Sequence, residues 1–182
     1  MRKSREEAAQ TRRRIVEAAS CEFRKNGIVA TGLNDLMKAA GLTHGGFYKH
    51  FASKDQLVAE ATSAALDDLL EGMAAHPSIN AAVAAYLSTR HRDTPASGCP
   101  LAALGSELAR SDGAAREAAT AGFVRLVDIL AGKGGTADAR CRALVAAATL
   151  IGAVTMSRMV TDPELSAEIL REAEKSLMSA RS

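Results

Sequence analysis

The chain has 182 residues, of which 47% are hydrophobic, 3% aromatic and 24% charged, and its formal net charge is +2. This length is enough for one good core or for a small domain joined to a larger one. No uncharged apolar run reaches 18 residues and no apolar segment follows the basic N-terminus, so we predict neither a membrane span nor a signal peptide. Three widely spaced cysteines without metal-ligand spacing fit a reducing cytoplasm. Alanine supplies much of the apolar content and alternating β-branched runs are missing, so we predict an all-α fold. The cysteine spacing indicates no metal site, and we predict no cofactor.

Positive charge is concentrated at the N-terminal end. Residues 1–54 hold 11 Lys+Arg against 5 Asp+Glu, a net of +6, and residues 55–182 hold 12 against 16, a net of −4. A basic end on an acidic remainder indicates a polyanionic partner for that end alone.

The predicted elements are helices separated by short turns. Residues 2–10 have the composition of a frayed lead-in, and the first regular helix ends where Gly27 can adopt a left-handed conformation. Thr43 can cap the third helix, and Ser53 with Gln56 forms a capping box for the fourth. The predicted helices, about nine in total, are 11–26, 33–40, 44–51, 54–75, 78–90, 99–110, 112–131, 137–161 and 163–179.

The segment GLTHGGFYKHF at residues 41–51 is unusual for a helix. Gly45 and Gly46 each cost about 1 kcal/mol of helix propensity relative to alanine. Two short helices joined by a glycine-containing turn form a helix-turn-helix unit, whose second helix enters the DNA major groove. Glycines at the start of that helix let the backbone approach base edges, and its free amides with Thr43 can bind phosphate.

The longer segment TRRRIVEAASCEFRKNGIVATGLNDLMKAAGLTHGGFYKHFASKDQL, residues 11–57, resembles the N-terminal DNA-binding domain of the tetracycline-repressor (TetR) family of bacterial regulators. The order of elements matches as well: a basic first helix ending in NG, then AT, a short helix, AAG and an aromatic-rich helix. One departure is Gly32, where the family usually has a Ser or Thr helix cap, although the neighbouring Thr31 keeps a hydroxyl for phosphate.

The resemblance implies a helix-turn-helix DNA-binding domain over residues 1–55 and a larger helical effector-binding and dimerisation domain over 56–182. Thr43, Tyr48 and Lys54 are implied phosphate contacts, and His44 to Gly46 with Lys49 are implied base contacts. The full set of implied DNA contacts is Thr31, Thr43, His44, Gly45, Gly46, Tyr48, Lys49, His50 and Lys54. The alternative is a three-helix protein-docking module whose aromatic rings all lie in its core, for which Gly45 and Gly46 beside exposed charge would have no purpose.

The last two predicted helices carry small and aliphatic residues suited to close helix packing. The family resemblance implies a homodimer built from these helices, which would place two recognition helices about 34–36 Å apart on a near-palindromic operator. The alternative is that these residues face the subunit's own core. The predicted dimer residues are Leu144, Ala148, Ile151, Gly152, Thr155, Leu165, Ile169 and Ala173.

The resemblance also implies an unknown small-molecule effector, and few aromatic residues follow position 51, which favours a small or aliphatic one. Core packing is the alternative explanation for each candidate. The candidate lining residues are Tyr86, Leu87, Cys99, Leu104, Leu108, Phe123, Val127 and Met156.

Cys99 precedes Pro100 at a predicted helix N-terminus, where unpaired amides stabilise a thiolate and lower the thiol pKa. This placement suggests a redox or electrophile sensor, and the alternative is an inert, semi-buried small hydrophobe.

Together these features predict a cytoplasmic, ligand- or thiol-responsive repressor that binds operator DNA as a dimer. A transcriptional activator or a less specific DNA-binding protein is the alternative. An enzyme is disfavoured because HRD at residues 91–93 and GKGGT at residues 132–136 lack the motifs that would accompany them in a kinase or a P-loop protein.

Overall fold

The computed structural model describes residues 2–111, 113–132, 134 and 136–179, and these residues form helices without any strand. The prediction of an all-α fold is confirmed. Two short 3-10 helices, His44–Lys49 and Pro95–Ser97, interrupt the α-helical series. The α-helices are α1 (Arg2–Asn26), α2 (Leu33–Ala39), α3 (Lys54–Ala74), α4 (Ile79–Tyr86), α5 (Thr89–Asp93), α6 (Pro100–Leu108), α7 (Gly113–Ala131), α8 (Ala137–Met159) and α9 (Pro163–Ser179).

α1 begins at Arg2, so the prediction of a frayed segment over residues 2–10 was wrong. Glu, Ala and Gln in that segment are strong helix formers, and the hydroxyl of Thr11 donates to the carbonyl of Glu7 at 2.8 Å. The helix ends as predicted, because Gly27 adopts φ +89° and its amide bonds the carbonyl of Phe23 at 2.8 Å.

Two buried clusters form the core. The N-terminal cluster joins α1, α2, the 3-10 helix at His44–Lys49 and the first turns of α3, and its large members are Ile15, Phe23, Leu36, Met37, Phe47, Phe51 and Leu57. The C-terminal cluster joins α3, α4, α7, α8 and α9, and includes Leu70, Tyr86, Leu126, Leu150 and Leu170. α3 contributes to both clusters and therefore runs from one half of the chain into the other.

α6 packs on the N-terminal half although it lies far along the sequence. Leu104, Leu108 and the start of α7 belong to the N-terminal cluster, and Gly122 lets α7 pack tightly against Leu66 of α3 because a Cβ there would overlap that leucine. The two halves are thus in direct apolar contact.

The predicted helix at 78–90 is two helices in the structure. Ser88 interrupts it, because its hydroxyl accepts from the amide of His91 at 3.2 Å and so caps α5 instead of continuing α4. The other predicted helices of the second half differ from the observed ones by no more than about two residues.

α8 is long and apolar enough, by length and composition alone, to cross a membrane, with a mean hydropathy of 1.4 over its most apolar window. One third of that window is buried in the chain, where α8 packs against α6, α7 and α9. Its remaining apolar residues, including Leu144 and Val145, form an exposed face that is discussed below.

Candidate nucleic-acid interface

The helix-turn-helix unit consists of α2, the turn at Gly41 and the 3-10 helix His44–Lys49. Gly41 ends α2 with φ +69°, and the amide of Leu42 bonds the carbonyl of Met37 at 2.8 Å, which is the pattern of a Schellman turn. The second helix of the unit, His44–Lys49, is a 3-10 helix and not the predicted α-helix. The reason is local, since Gly45 and Gly46 disfavour an α-helix and the amide of Gly46 bonds Thr43 three residues back.

One face of this 3-10 helix is anchored in the core and the other faces solvent. Phe47 is fully buried and stacks on Phe51 with ring centroids 5.6 Å apart. Tyr48 is 66% exposed and rests edge-on against Phe47, while His44 and Lys49 are exposed. The exposed ring of Tyr48 therefore excludes the alternative of a protein-docking module whose aromatic rings all lie in the core.

Neither packing nor backbone geometry requires glycine at the exposed positions. A Cβ on Gly45 would meet no atom within 4 Å, and a Cβ on Gly46 would make ordinary contact with Met37 at 3.5 Å. Neither glycine has a positive φ. The open space in front of Gly45 leaves room for a partner to approach its backbone.

Thr43 is the exposed N-cap residue of the 3-10 helix, but its side chain makes no capping hydrogen bond, so that part of the prediction was wrong. Its hydroxyl is left for another partner, in keeping with the predicted phosphate contact.

Thr31 does not suit the role predicted for it. Its side chain is 2% exposed, and its hydroxyl donates to the carbonyl of Gly27 at 2.5 Å, which closes the turn between α1 and α2. Gly32 occupies the N-cap of α2 without any side-chain cap. The structure therefore corrects Thr31 from a phosphate contact to a buried structural residue.

Lys54 and His50 are half-buried rather than fully exposed. The Lys54 ammonium donates to the carbonyl of Ile28 at 2.5 Å and lies 5.8 Å from the ring centroid of Phe23, so it ties α3 to the end of α1. His50 accepts from Arg12 through its backbone carbonyl at 3.3 Å. The DNA contacts predicted for both stay predictions, alongside these observed structural contacts.

Part of the basic charge of α1 is used inside the fold. Arg12 forms a two-pronged ion pair with Glu60 and lies 4.4 Å from the ring centroid of Phe51. The hydrogen bond to Glu60 raises the pKa of Arg12. Arg14 donates to the carbonyl of Ala40 at 2.6 Å. These cations fix α1 against α2 and α3, and so hold the exposed face of His44–Lys49 in place.

Comparisons with known proteins agree with this geometry. The family model "Bacterial regulatory proteins, tetR family" matches residues 15–61, which contain the helix-turn-helix unit. Over this segment the chain is similar to regulators of the TetR family. The HTH-type transcriptional regulator TtgR of Pseudomonas putida is 44% identical over 71 residues, covering 39% of this chain and 32% of that protein. The chain thus aligns with about a third of the length of such relatives.

Solved structures of TetR-family regulators share the whole fold. A TetR transcriptional regulator from Chloroflexus aurantiacus is 25% identical, with a TM-score of 0.69 and coverage of 98% of this chain and 96% of that one. A TetR-family regulator from Cytophaga hutchinsonii is 22% identical, with a TM-score of 0.75 and coverage of 95% and 96%. The relatives' names describe transcriptional regulators and not enzymes, in agreement with the prediction.

The larger half of the chain contains two cavities of a size that could hold a small molecule. Cavity A, about 470 Å³, lies among α3, α4 and the segment from Ser88 to Gly98. Cavity B, about 650 Å³, lies among α4 and the facing ends of α7, α8 and α9.

Most of the residues predicted to line an effector site are elsewhere. Tyr86 lines cavity A, and the other seven line neither cavity A nor cavity B. Leu104 and Leu108 belong to the N-terminal cluster because α6 turns its apolar face to α1. Leu87, Phe123 and Val127 pack in or against the C-terminal cluster, and Met156 is 43% exposed on α8.

The lowered pKa predicted for the Cys99 thiol is wrong, and the structure favours the alternative of a buried, inert side chain. The side chain has no exposed surface, and burial raises the pKa of its thiol although hydrogen bonds around it act in the opposite direction. Desolvation of the thiolate outweighs the effect of the helix N-terminus. Cys99 is thus a neutral buried thiol, whereas Cys21 and Cys141, predicted to be packing residues, are exposed.

The predicted dimer residues divide into two groups. Leu144 and Leu165 are 39% and 43% exposed, and Ala148 also faces solvent. Ile151, Ile169 and Ala173 pack in part against the chain's own C-terminal cluster, and Gly152 is half-buried. The hydroxyl of Thr155 donates to the carbonyl of Ala102 at 3.0 Å, so this side chain holds α8 to α6.

Sequence reasoning missed the polar residues that join the two halves. Arg24 is 8% exposed and donates to the carbonyl of Gly98 at 2.8 Å, and Glu107 of α6 accepts from the amide of Val29 at 2.9 Å. Neither residue carries a sequence signal for this role. In the sequence Arg24 resembles an ordinary cation at a helix C-terminus, because its distant partner Gly98 is 74 residues away.

Proposed function

We propose that the chain is a DNA-binding transcriptional regulator, most simply a cytoplasmic repressor whose operator affinity changes with a small-molecule effector. The observation that carries the proposal is the exposed face of His44–Lys49, where Gly45 has open space before it and Tyr48 and Lys49 point donors to solvent. Residues 1–55 would form the DNA-binding domain and residues 56–182 the effector-binding and dimerisation domain.

A homodimer is part of this proposal. Val145 and Met159 are 65% and 66% exposed, and they lie on the same helix, α8, as the exposed Leu144 and Met156. Such an apolar strip is suited to burial against a second copy of α8 and α9, which would pair two DNA-binding domains on a near-palindromic site. TtgR and several other relatives are named as HTH-type transcriptional regulators, which supports DNA as the partner of the N-terminal half.

The first experiment is selection of bound fragments from the source organism's DNA by the purified chain in the presence of competitor DNA. We expect a near-palindromic site that the chain binds at least about 10³-fold more tightly than random DNA. Uniform weak binding to all fragments by a folded dimer would contradict the proposal and favour a less specific DNA-binding protein. Placement of the recovered site relative to the promoter distinguishes a repressor from an activator.

A variant pair then tests the interface itself. Lys49→Ala should weaken the selected site, and a greater loss on that site than on random DNA would assign Lys49 to a base edge. A uniform loss with a salt slope reduced by about one would assign it to phosphate. Lys175→Ala on α9 is the matched control, because it removes the same exposed charge outside the DNA-binding domain and should leave affinity unchanged. Equal affinity for Lys49→Ala and wild type would contradict the assigned face.

A further inference from the structure

The wall of cavity A contains a group of polar residues that fold stability alone leaves poorly explained. His91 lies at its centre, held by two hydrogen bonds. Its Nδ1 pairs with the carbonyl of Tyr86 at 2.6 Å, and its Nε2 accepts from the amide of Cys99 at 2.8 Å. His91 is therefore neutral, with its proton on Nδ1, and burial lowers its pKa in agreement with that assignment.

Arg158 of α8 stands directly behind this wall. Its guanidinium donates to the carbonyls of His91 at 2.7 Å and Arg92 at 2.9 Å. A Cβ on Gly98 would lie 3.1 Å from Arg158 and 2.6 Å from the His91 ring, so the absence of a side chain at Gly98 makes room for both. No carboxylate of the described residues forms an ion pair with Arg158, since the nearby Asp93 pairs with Arg92. Burial lowers the pKa of Arg158 and outweighs the opposite effect of Asp93.

Two hydrogen-bond donors in this group have no partner. The Tyr86 hydroxyl and the Arg158 Nη1 are both buried, and neither meets an acceptor with hydrogen-bond geometry among the described residues. The Cys99 thiol lies beside the Tyr86 hydroxyl, but sulfur is a weak hydrogen-bond acceptor and leaves the hydroxyl without a strong partner. An unpaired buried donor destabilises the fold, so an acceptor brought in by a ligand would relieve a cost that is already present.

The charges at cavity A favour an anion. Arg90 lines the cavity, and Arg24 and Arg158 lie behind its Gly98 edge. Asp68 is the one carboxylate among the lining residues, and it lies close enough to Arg24 to influence its pKa. The cations are thus in excess over the anions. Leucine, methionine and alanine residues of α3 and α4 complete the wall, and a volume of about 470 Å³ lies within the usual range for a small-ligand pocket.

We propose that cavity A binds a carboxylate-bearing small molecule with a short apolar body, whose carboxylate is held by Arg90 and the Tyr86 hydroxyl, with the positive charge of Arg158 behind the wall adding to the attraction. This inference rests on the proposed effector-responsive regulator and assigns the chemical class of its effector. Cavity B is less suited to an anion, because Arg142 is the only cation among its lining residues and apolar side chains form most of its wall.

The same wall is connected to the DNA-binding half. Arg24 at the end of α1 donates through Nη1 to the carbonyl of Gly98, while its other nitrogens bond Ser20 at 2.9 Å. A ligand that displaces the Gly98 edge therefore acts on α1 through one buried guanidinium. We expect Arg24→Met to keep carboxylate binding but to lose most of its effect on operator affinity. A fully responsive Arg24→Met variant would contradict this connection.

Calorimetric titration of the full chain tests the ligand class with two matched pairs of probes, hexanoate with hexanamide and benzoate with benzamide. Each carboxylate should bind at least about 10-fold more tightly than its amide, since a hydrogen bond to a charged group contributes about 1.5–3 kcal/mol. Arg90→Gln and Arg158→Met should each reduce that preference, and thermal unfolding checks that both variants fold. Arg142→Gln in cavity B is the control and should leave binding unchanged.

Three results would overturn the proposal: equal binding of amides and carboxylates, no binding of either carboxylate at millimolar concentration, or loss of binding in Arg142→Gln alone. Operator binding by the ligand-free wild type is measured on the same preparations. Specific DNA binding without any carboxylate effect would refute only the ligand class, whereas absence of specific DNA binding would refute the proposed function.

Discussion

Replacing Gly45 by alanine adds one methyl group to the exposed face of the 3-10 helix, where it would meet no atom within 4 Å. Because Gly45 has no positive φ, the alanine adopts the same backbone without strain. Alanine also restricts the unfolded chain, so the free energy of unfolding should rise by about 0.4–1 kcal/mol. The fold alone thus favours alanine at this position.

DNA binding should respond in the opposite direction. If the Gly45 backbone lies against base edges, the added methyl group separates the two surfaces and disturbs neighbouring contacts. Loss of a good base contact costs about 1–3 kcal/mol, which corresponds to a reduction in operator affinity of about 5- to 150-fold. Affinity is measured on the selected operator, and stability by denaturant unfolding of the same preparations.

Gly105→Ala is the matched control for this prediction. Gly105 lies exposed on α6, and a Cβ there also meets no atom within 4 Å. This variant should gain stability to a similar extent and keep wild-type operator affinity. Should Gly45→Ala gain stability and bind the operator as tightly as wild type, close approach of DNA could not be the reason for the glycine.

Val145→Asp on the exposed strip of α8 should weaken dimer association by about 2 kcal/mol or more, seen as monomer by sedimentation, and a stable dimer would exclude this strip from the interface. A thiol reagent should modify the exposed Cys21 and Cys141 of the folded chain and leave Cys99 unmodified until the chain unfolds, and rapid labelling of Cys99 would contradict its burial. Because the pKa of His91 is lowered in the folded chain, the imidazole is protonated in the unfolded chain first as pH falls. The stability that neutral His91 contributes is therefore fully present above pH about 6.5 and is lost as pH falls towards the lowered folded-state pKa. Between pH 7 and pH 5, His91→Gln should therefore lose less unfolding free energy than wild type does, as measured by denaturant unfolding.

Local signals in the sequence placed most of the helices and the helix-turn-helix unit. Gly27 and Gly41 end helices by adopting positive φ, and Ser53 caps α3 by accepting from the amide of Gln56 at 3.1 Å. Such features depend on residues within four positions of each other, so a single sequence contains all the information they need. The 3-10 geometry of His44–Lys49 was missed because helix periodicity does not separate it from one α-helical turn.

Interactions between distant residues were decided only by tertiary packing. The helix N-terminus at Cys99 indicates a lowered thiol pKa, but burial by surrounding helices reverses the direction. The sequence predicted that Leu104 and Leu108 line an effector pocket in the larger domain. In the structure α6 packs on α1, which places both leucines in the N-terminal cluster.

The sequence by itself therefore determined the helical class, the similarity of the N-terminal segment to TetR-family regulators and the position of the helix-turn-helix unit, because each follows from short-range order along the chain. Tertiary structure decided which polar groups become buried and which distant residues they meet. The joining of Arg24 to Gly98, 74 positions apart, and the unpaired donors beside cavity A are results of that packing. Desolvation free energies depend on the full surroundings of a group, and no linear pattern of residues specifies those surroundings.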